Sequence, residues 1–341
     1  MTSASDAGPE ASASYLLQRL AVVEARVRRA VEHRRADDAD PGDRFRGLYI
    51  SEAEVDRLLT LDRQSPTVPP PTSDSAAHLA RLEAEADRAE EGGAGIRLRA
   101  LARAFSLDDL DVEVLLVALA PDVDPRFERL YAYLHDDVSR RRASIGLALE
   151  LCGASLVGHE RRRFGPAGSL VADGLVLVEE SDRPFLTRSL RVPDRVAAHL
   201  LGDDTPDPLV QSLATPCAPA EVGDLTLLES ALRSGGGTVY IRQPPAGAGL
   251  ALAVTALSRL GMPTVALDLT RFAADGDVEE VVRRAARDAR LQGAHSSPGL
   301  SRPSPKGVRP GPGPWPKPAA RWWSSVPAAG IPSGRGRRRS R

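Results

Sequence analysis

Lysine is almost missing: the chain has two, Lys306 and Lys317, and none before them. Across residues 1–294 this excludes any phosphate clamp built on an ammonium group. Cysteine is just as scarce. Cys152 and Cys217 stand at no metal-ligand spacing and cannot form a disulfide framework, which fits a reducing cytoplasm as the expected compartment. Long apolar runs are missing too, since Val112 to Ala120 is interrupted by Glu113 and stopped by Pro121. A membrane span needs roughly 20 apolar residues, so none is expected. The N-terminus lacks the basic, apolar and small-residue order of a secretory signal. Aromatic residues make up only 4% of the chain, leaving Leu, Val and Ala to build the core. That composition favours helices.

A net charge of −1 conceals two unlike parts. Residues 1–294 carry all 46 acidic residues against 35 basic ones, whereas 295–341 carry ten basic residues and no acid. The 341 residues are enough for two or three domains.

Residues 1–14 read as disordered and 15–63 as a helical N-terminal region. Leu16, Leu20, Val23, Val27 and Val31 recur at steps of four and three, the seam of an amphipathic helix that packs on a neighbour. Ser51 and Glu54 have capping-box spacing before Val55, Leu58 and Leu59, predicting a second short helix. The proline-rich stretch within 64–77 reads as a linker.

Residues 78–203 form the next expected domain. Leu98, Leu101, Ala102 and Phe105 share one helical face; Ser106 and Asp108 stand where a cap belongs before Val112, Leu115, Leu116 and Leu119. Pro121 and Pro125 predict the end of that helix. Further helices are expected from Phe127 and from Ile145 to Leu151. The period then changes, with β-prone residues 175–178, a turn, and a returning strand within 185–192 before a closing helix over 194–201. A hairpin after several helices matches a winged helix. Residues 204–222 read as a second linker.

Over 223–294 the pattern is helix (225–232), strand (238–241), loop (243–249), helix (250–260), strand (264–269) and helix (279–291), the opening of a parallel α/β domain. Its loop is Gln243, Pro244, Pro245, Ala246, Gly247, Ala248 and Gly249, followed by Leu250. A phosphate-binding loop turns backbone N–H groups inward, adds Lys against the β- and γ-phosphates, and holds Mg²⁺ with Ser or Thr. Against that pattern Gln243 and Ala248 replace the two glycines, Gly249 the lysine and Leu250 the hydroxyl residue. The position is right for ATP and Mg²⁺, and the chemistry is largely gone. Arg242 and Asp268 are the nearby charged candidates.

Several segments carry a family resemblance: RVRRAVEHRRADD at 26–38, DRFRGLYISEAEVDRLL at 43–59, LLVALAPDVDPRFERLYAYLHDDVSRRR at 115–142, GLVLVEE at 174–180 and RVPDRVAAHLLGDD at 191–204. Together they resemble actinobacterial AAA+ ATPases with an N-terminal winged-helix domain, some associated with contractile injection systems. The resemblance implies a winged helix that binds a protein partner or substrate, ATP and Mg²⁺ at the loop, and a hexameric ring in full-length members. In that family a Gly-Pro-Pro-Gly loop follows the strand, and Gln243 to Gly249 departs from it.

A strand with Mg²⁺-organising and water-activating carboxylates is due after residue 294. In its place come ten prolines, all three tryptophans and both lysines, within a tail expected to be disordered over 295–341. So abrupt a change of composition reads as a shifted reading frame or an alternative terminus. The expected fold is therefore mainly α with a winged-helix hairpin, followed by a partial α/β P-loop domain. The expected function is that of an ATPase-family protein without turnover of its own; a non-enzymatic adaptor and a DNA-binding regulator are the alternatives.

Arg140, Arg141 and Arg142, Arg161 to Arg163 and Arg337 to Arg339 are the places where a nucleic-acid phosphate could be met. The acidic balance of 1–294 argues against such binding. His33, His78, His135 and His159 lack paired ligand spacing and read as structural. Asp122, Asp124, Asp136 and Asp137 flank prolines or helix ends, where capping accounts for them.

Overall fold

The computed structural model describes residues 7–36, 52, 55–56, 59, 73–220, 223–234, 239–244, 247–262, 264–272 and 277–295. The predicted capping box at Ser51 and Glu54 and the basic, proline-rich tail lie outside them. The described residues fall into two units, one running to Asp207 and taking in 290–295, the other Pro208–Ala289.

In the first unit the predicted seam is the buried face of helix α1, Ala7–Ala36: Leu16, Leu20, Val23, Val27 and Val31 are all inside. Helix α2, Ser73–Glu91, starts within the stretch expected to be linker and packs on α1. Helix α3, Arg97–Phe105, buries Leu98, Leu101 and Phe105 and ends at Ser106 in the left-handed region. Asp108 then caps helix α4, Asp109–Val123, in a reciprocal arrangement with Asp111. Every residue of α4 from Val114 to Pro121 is buried, so this helix is the centre of the unit.

Helix α4 ends at Val123, between the two prolines expected to mark its end, with Pro121 inside the last turn. A proline inside a helix removes the N–H that would bond to the carbonyl four residues back, here that of Val117. Tyr131 supplies the missing donor: its hydroxyl donates to the Val117 carbonyl at 2.9 Å. Tyr131 lies on α5, Arg126–His135, fully buried and 5.8 Å from the Phe127 ring. The polar cost of a proline at the core is thereby met by a side chain from the next helix.

Glu113 faces two arginines of α1. Arg26 pairs with it directly and Arg19 stands 3.6 Å away; Arg19 also bonds Glu83 of α2 at 2.6 Å, beside the Tyr15 hydroxyl. Arg26 lies against Cys152, whose thiol burial pushes up to about 12. Charges this deep are tolerable only when paired.

Helix α6, Ile145–Leu151, is capped by the Ser144 hydroxyl. A 3₁₀ turn, His159–Phe164, and the four-residue helix α7, Ser169–Ala172, follow it. Strands β1, Leu177–Val178, and β2, Leu190–Arg191, pair antiparallel. Ser144 forms an isolated antiparallel bridge with Ser189, and the Ala143 carbonyl accepts from the Leu190 N–H, which ties the start of α6 to the hairpin. The returning strand is shorter than expected because Phe185–Thr187, after Pro184, forms a 3₁₀ turn. Helix α8, Asp194–Leu200, closes the unit.

The connector after α8 is anchored. Asp204 takes two bonds of 2.7 Å from Arg97 and lies 2.7 Å from Nδ1 of the buried His199. Burial pushes His199 down; for Asp204 burial is outweighed by Arg97 and His199, which hold its carboxyl well below the usual range.

The second unit holds helices α9, Pro208–Leu213, α10, Thr226–Arg233, α11, Gly249–Arg259, and most of α12, Val278–His295. Leu225, Leu232, Ala256 and Leu257 form its described core. The expected strands are a point of correction. Residues 239–241 are unpaired among the described residues, and Tyr240 is 72% exposed where a central strand would bury it. Over 264–269 only an isolated antiparallel bridge, Ala214 to Leu267, is present. A parallel sheet needs several apolar strands covered on both faces, and the described residues do not supply them.

Glu113→Gln should strand Arg26 and Arg19 without their counter-charge. We expect a loss of about 3 kcal/mol in urea unfolding of the first unit, far beyond that of an exposed Glu→Gln control.

His135 donates from Nε2 to the Arg142 carbonyl at 3.2 Å, and burial holds its pKa down to about 4, from 6.5. Below its ordinary pKa the unfolded chain takes a proton that the fold refuses, so stability is full above 6.5 and falls as pH drops toward 4. The urea midpoint should fall between about pH 7 and pH 5, and less so in His135→Gln.

Candidate functional site

Two places have geometry relevant to function, one in each unit. The first is the face formed by α6, the 3₁₀ turn 159–164, α7 and the hairpin. Its order is helices α4 and α5, an isolated bridge at Ser144, helix α6, the 3₁₀ turn 159–164, helix α7, strand β1, wing and strand β2. In a winged helix the helix just before the hairpin is the one that enters a DNA groove. Here that helix, α7, has four residues, barely one turn.

The arginines flagged from the sequence are divided by the fold. Arg142 forms a two-pronged pair with Asp122, at 3.0 and 3.1 Å, and Arg141 stands 3.7 Å from Glu128. Arg163 donates to both Asp108 and Asp111 at 2.7 Å, tying the 3₁₀ turn to the start of α4. Arg140 donates to the Thr187 carbonyl, and Arg161 to that of Leu156. Arg161 and Arg188 also stand against the Phe185 ring, at 4.8 and 5.7 Å from its centroid. Arg162 is exposed and bonds only the carbonyl of His159.

A family model described as "Winged helix domain, variant" matches residues 8–214. The chain belongs to that family. The match takes in α1, so the variant winged-helix region includes the long N-terminal helix as well as the hairpin. No curated protein and no solved structure matches the chain.

The second place is the loop leading into α11. Pro245 and Ala246 lie outside the described residues; Gln243, Pro244, Gly247, Ala248, Gly249 and Leu250 are described. The loop turns back on itself. The Gly247 N–H donates to the Pro244 carbonyl at 2.9 Å, and the Gly249 N–H donates to Oε1 of Gln243 at 2.5 Å. A side chain at Gly247 would meet Cβ of Gln243 at 2.7 Å, so this glycine is required by close approach.

In a phosphate-binding loop the N–H groups at the helix start point at the anion. Here the Gln243 carboxamide takes that place at Gly249. Ala248 offers no capping side chain, and Leu250 presents an aliphatic chain where Mg²⁺ needs a hydroxyl. Asp268 is engaged as the cap of the 3₁₀ turn Leu269–Arg271: it accepts from Thr270, which holds its carboxyl below the usual range. Arg242 is exposed. These residues do not fit a triphosphate with its metal.

Among the histidines, His159 is exposed beside Glu160, and no group of metal-ligating side chains occurs among the described residues. Among those residues no helix is long and apolar enough to cross a membrane. Sequence reasoning missed the Arg97, His199 and Asp204 cluster, because Arg97 is 107 residues from Asp204 and DDTPDP has only the local signature of a turn.

Gln243→Ala should leave the Gly249 N–H without its acceptor. We expect faster hydrogen exchange at Gly249 and a loss of about 1 kcal/mol from the second unit, the size of a lost helix cap; unchanged exchange would show that the bond is not made in solution.

Proposed function

We propose that this chain is a protein-binding winged-helix module joined to a remnant of an AAA+ type nucleotide-binding domain, and that it engages a partner protein without turning over ATP. The observation that carries this reading is the four-residue helix α7 before the hairpin, whose preceding turn is tied to the start of α4 by Arg163 on Asp108 and Asp111. A reader of the major groove needs a helix long enough to lie in it, with free side chains along one face. What is left at that end of the domain is a compact surface suited to another protein. The self-bonded loop at Gln243 and Gly249 favours the nucleotide-independent form of the reading, an adaptor related to the motor proteins and not a motor. The AAA+ relationship rests on the resemblance of the quoted segments, and a contractile injection apparatus would be one setting for the partner.

Titrating the purified chain with ATP and Mg²⁺ should give no saturable binding, and turnover no higher than in a Gly247→Val, Gly249→Val control. Duplex DNA should bind weakly at about 150 mM salt, in the non-specific range above ~1 μM. Saturable ATP binding abolished by the glycine substitutions, or sequence-specific DNA binding, would each defeat the proposal.

A further inference from the structure

Ten arginines lie between residues 140 and 195. Arg141, Arg142, Arg163, Arg183 and Arg191 each have a carboxylate partner. Arg140, Arg161, Arg162 and Arg188 bond only backbone carbonyls or the Phe185 ring. Three of them are also gathered in space: Arg140 reaches the Thr187 carbonyl, Arg161 and Arg188 both lie against Phe185, and Arg188 bonds the Arg183 carbonyl at 3.0 Å. Arg162 follows Arg161 in the chain and is exposed. Three guanidiniums held by carbonyls and a ring therefore meet at the single turn Phe185–Thr187.

A guanidinium stacked on an aromatic ring is held in place while its N–H edge remains free for a planar, two-oxygen acceptor. Beside the turn, Val157 is 88% exposed, next to the Leu156 carbonyl that Arg161 holds. The site thus offers ordered cationic edges together with an apolar contact. Glu160, Glu180 and Asp182 lie close by in sequence, and Glu180 pairs with Arg183. Those carboxylates oppose a duplex, whose phosphates follow one another at about 1.7 Å of axis. A short segment bearing two or three carboxylates can meet the arginines while avoiding them.

We propose that the wing, through Arg161, Arg188 and Arg140 around Phe185 and the exposed Arg162 next in the chain, docks an acidic segment of the partner protein that also carries an apolar residue for Val157. This inference rests on the protein-binding reading above and names the chemistry of that partner.

The test uses the full chain and two fluorescent probes, a twelve-residue peptide of alternating Glu and Leu and a mixed-sequence duplex DNA, read by anisotropy at about 50 and 200 mM salt. The peptide should bind, weaken at the higher salt, and lose at least tenfold in affinity in Arg161→Glu/Arg188→Glu. Arg162→Glu, at an exposed position that leaves the Phe185 stack intact, should weaken it several-fold, so the outcome does not depend on the double variant alone; thermal melts confirm that both fold. Peptide binding untouched by these variants would overturn the site while sparing the protein-binding reading. Failure of the peptide to bind would overturn the acidic-segment assignment. Tighter binding of the duplex, lost in the same variants, would overturn both.

Discussion

The first unit depends on a pairing at the margin of its core: the half-buried Glu113, on the central helix α4, faces Arg26 and Arg19 of α1. An apolar seam alone fixes which face of a long helix turns inward but has no directional group to set its place along the axis. A carboxylate shielded between helices supplies one. It must meet its cations or carry the cost of desolvation, so it sets where α1 lies along α4. Arg19 extends the constraint to Glu83, and one chain of charges fixes α1, α2 and α4 together. The winged-helix hairpin is then built against helices whose positions are already determined.

The same rule recurs at smaller scale. Asp111 is buried, and it is satisfied by Arg163, Ser169 and the reciprocal cap with Asp108. The start of α4 is thereby linked to the segment where a DNA-reading helix would stand. Neighbouring arginines are thus divided: Arg163 is engaged by the carboxylates of the α4 start, while Arg161 and Arg162 bond backbone carbonyls.

Much of this was legible in the sequence, for physical reasons. The α1 seam, the cap at Asp108, the apolar helix after it and the short hairpin all have local patterns of period or spacing, and each is found close to its expected place. Glu113 was visible only as an interruption of an apolar run; its role depends on arginines some ninety residues away. Pro121 and Pro125 bracketed the end of α4, but that the carbonyl freed by Pro121 finds its donor in Tyr131 had no local sign. At the loop, the loss of the lysine and hydroxyl could be read directly, whereas the Gln243 side chain folding back on Gly249 could not. The strands of the second unit had the right composition, but strands are defined by neighbours, and composition does not supply them.

The hydroxyl of Tyr131 has a consequence for how this domain can vary over time. With Pro121 present, a phenylalanine at 131 would leave a buried carbonyl bare, whereas a residue bearing its own N–H at 121 would bond the same carbonyl, whose two lone pairs can keep the hydroxyl as well. The dependence therefore runs one way, from the proline to the tyrosine. In a set of divergent relatives, proline at 121 should occur together with tyrosine at 131, while tyrosine can persist without the proline.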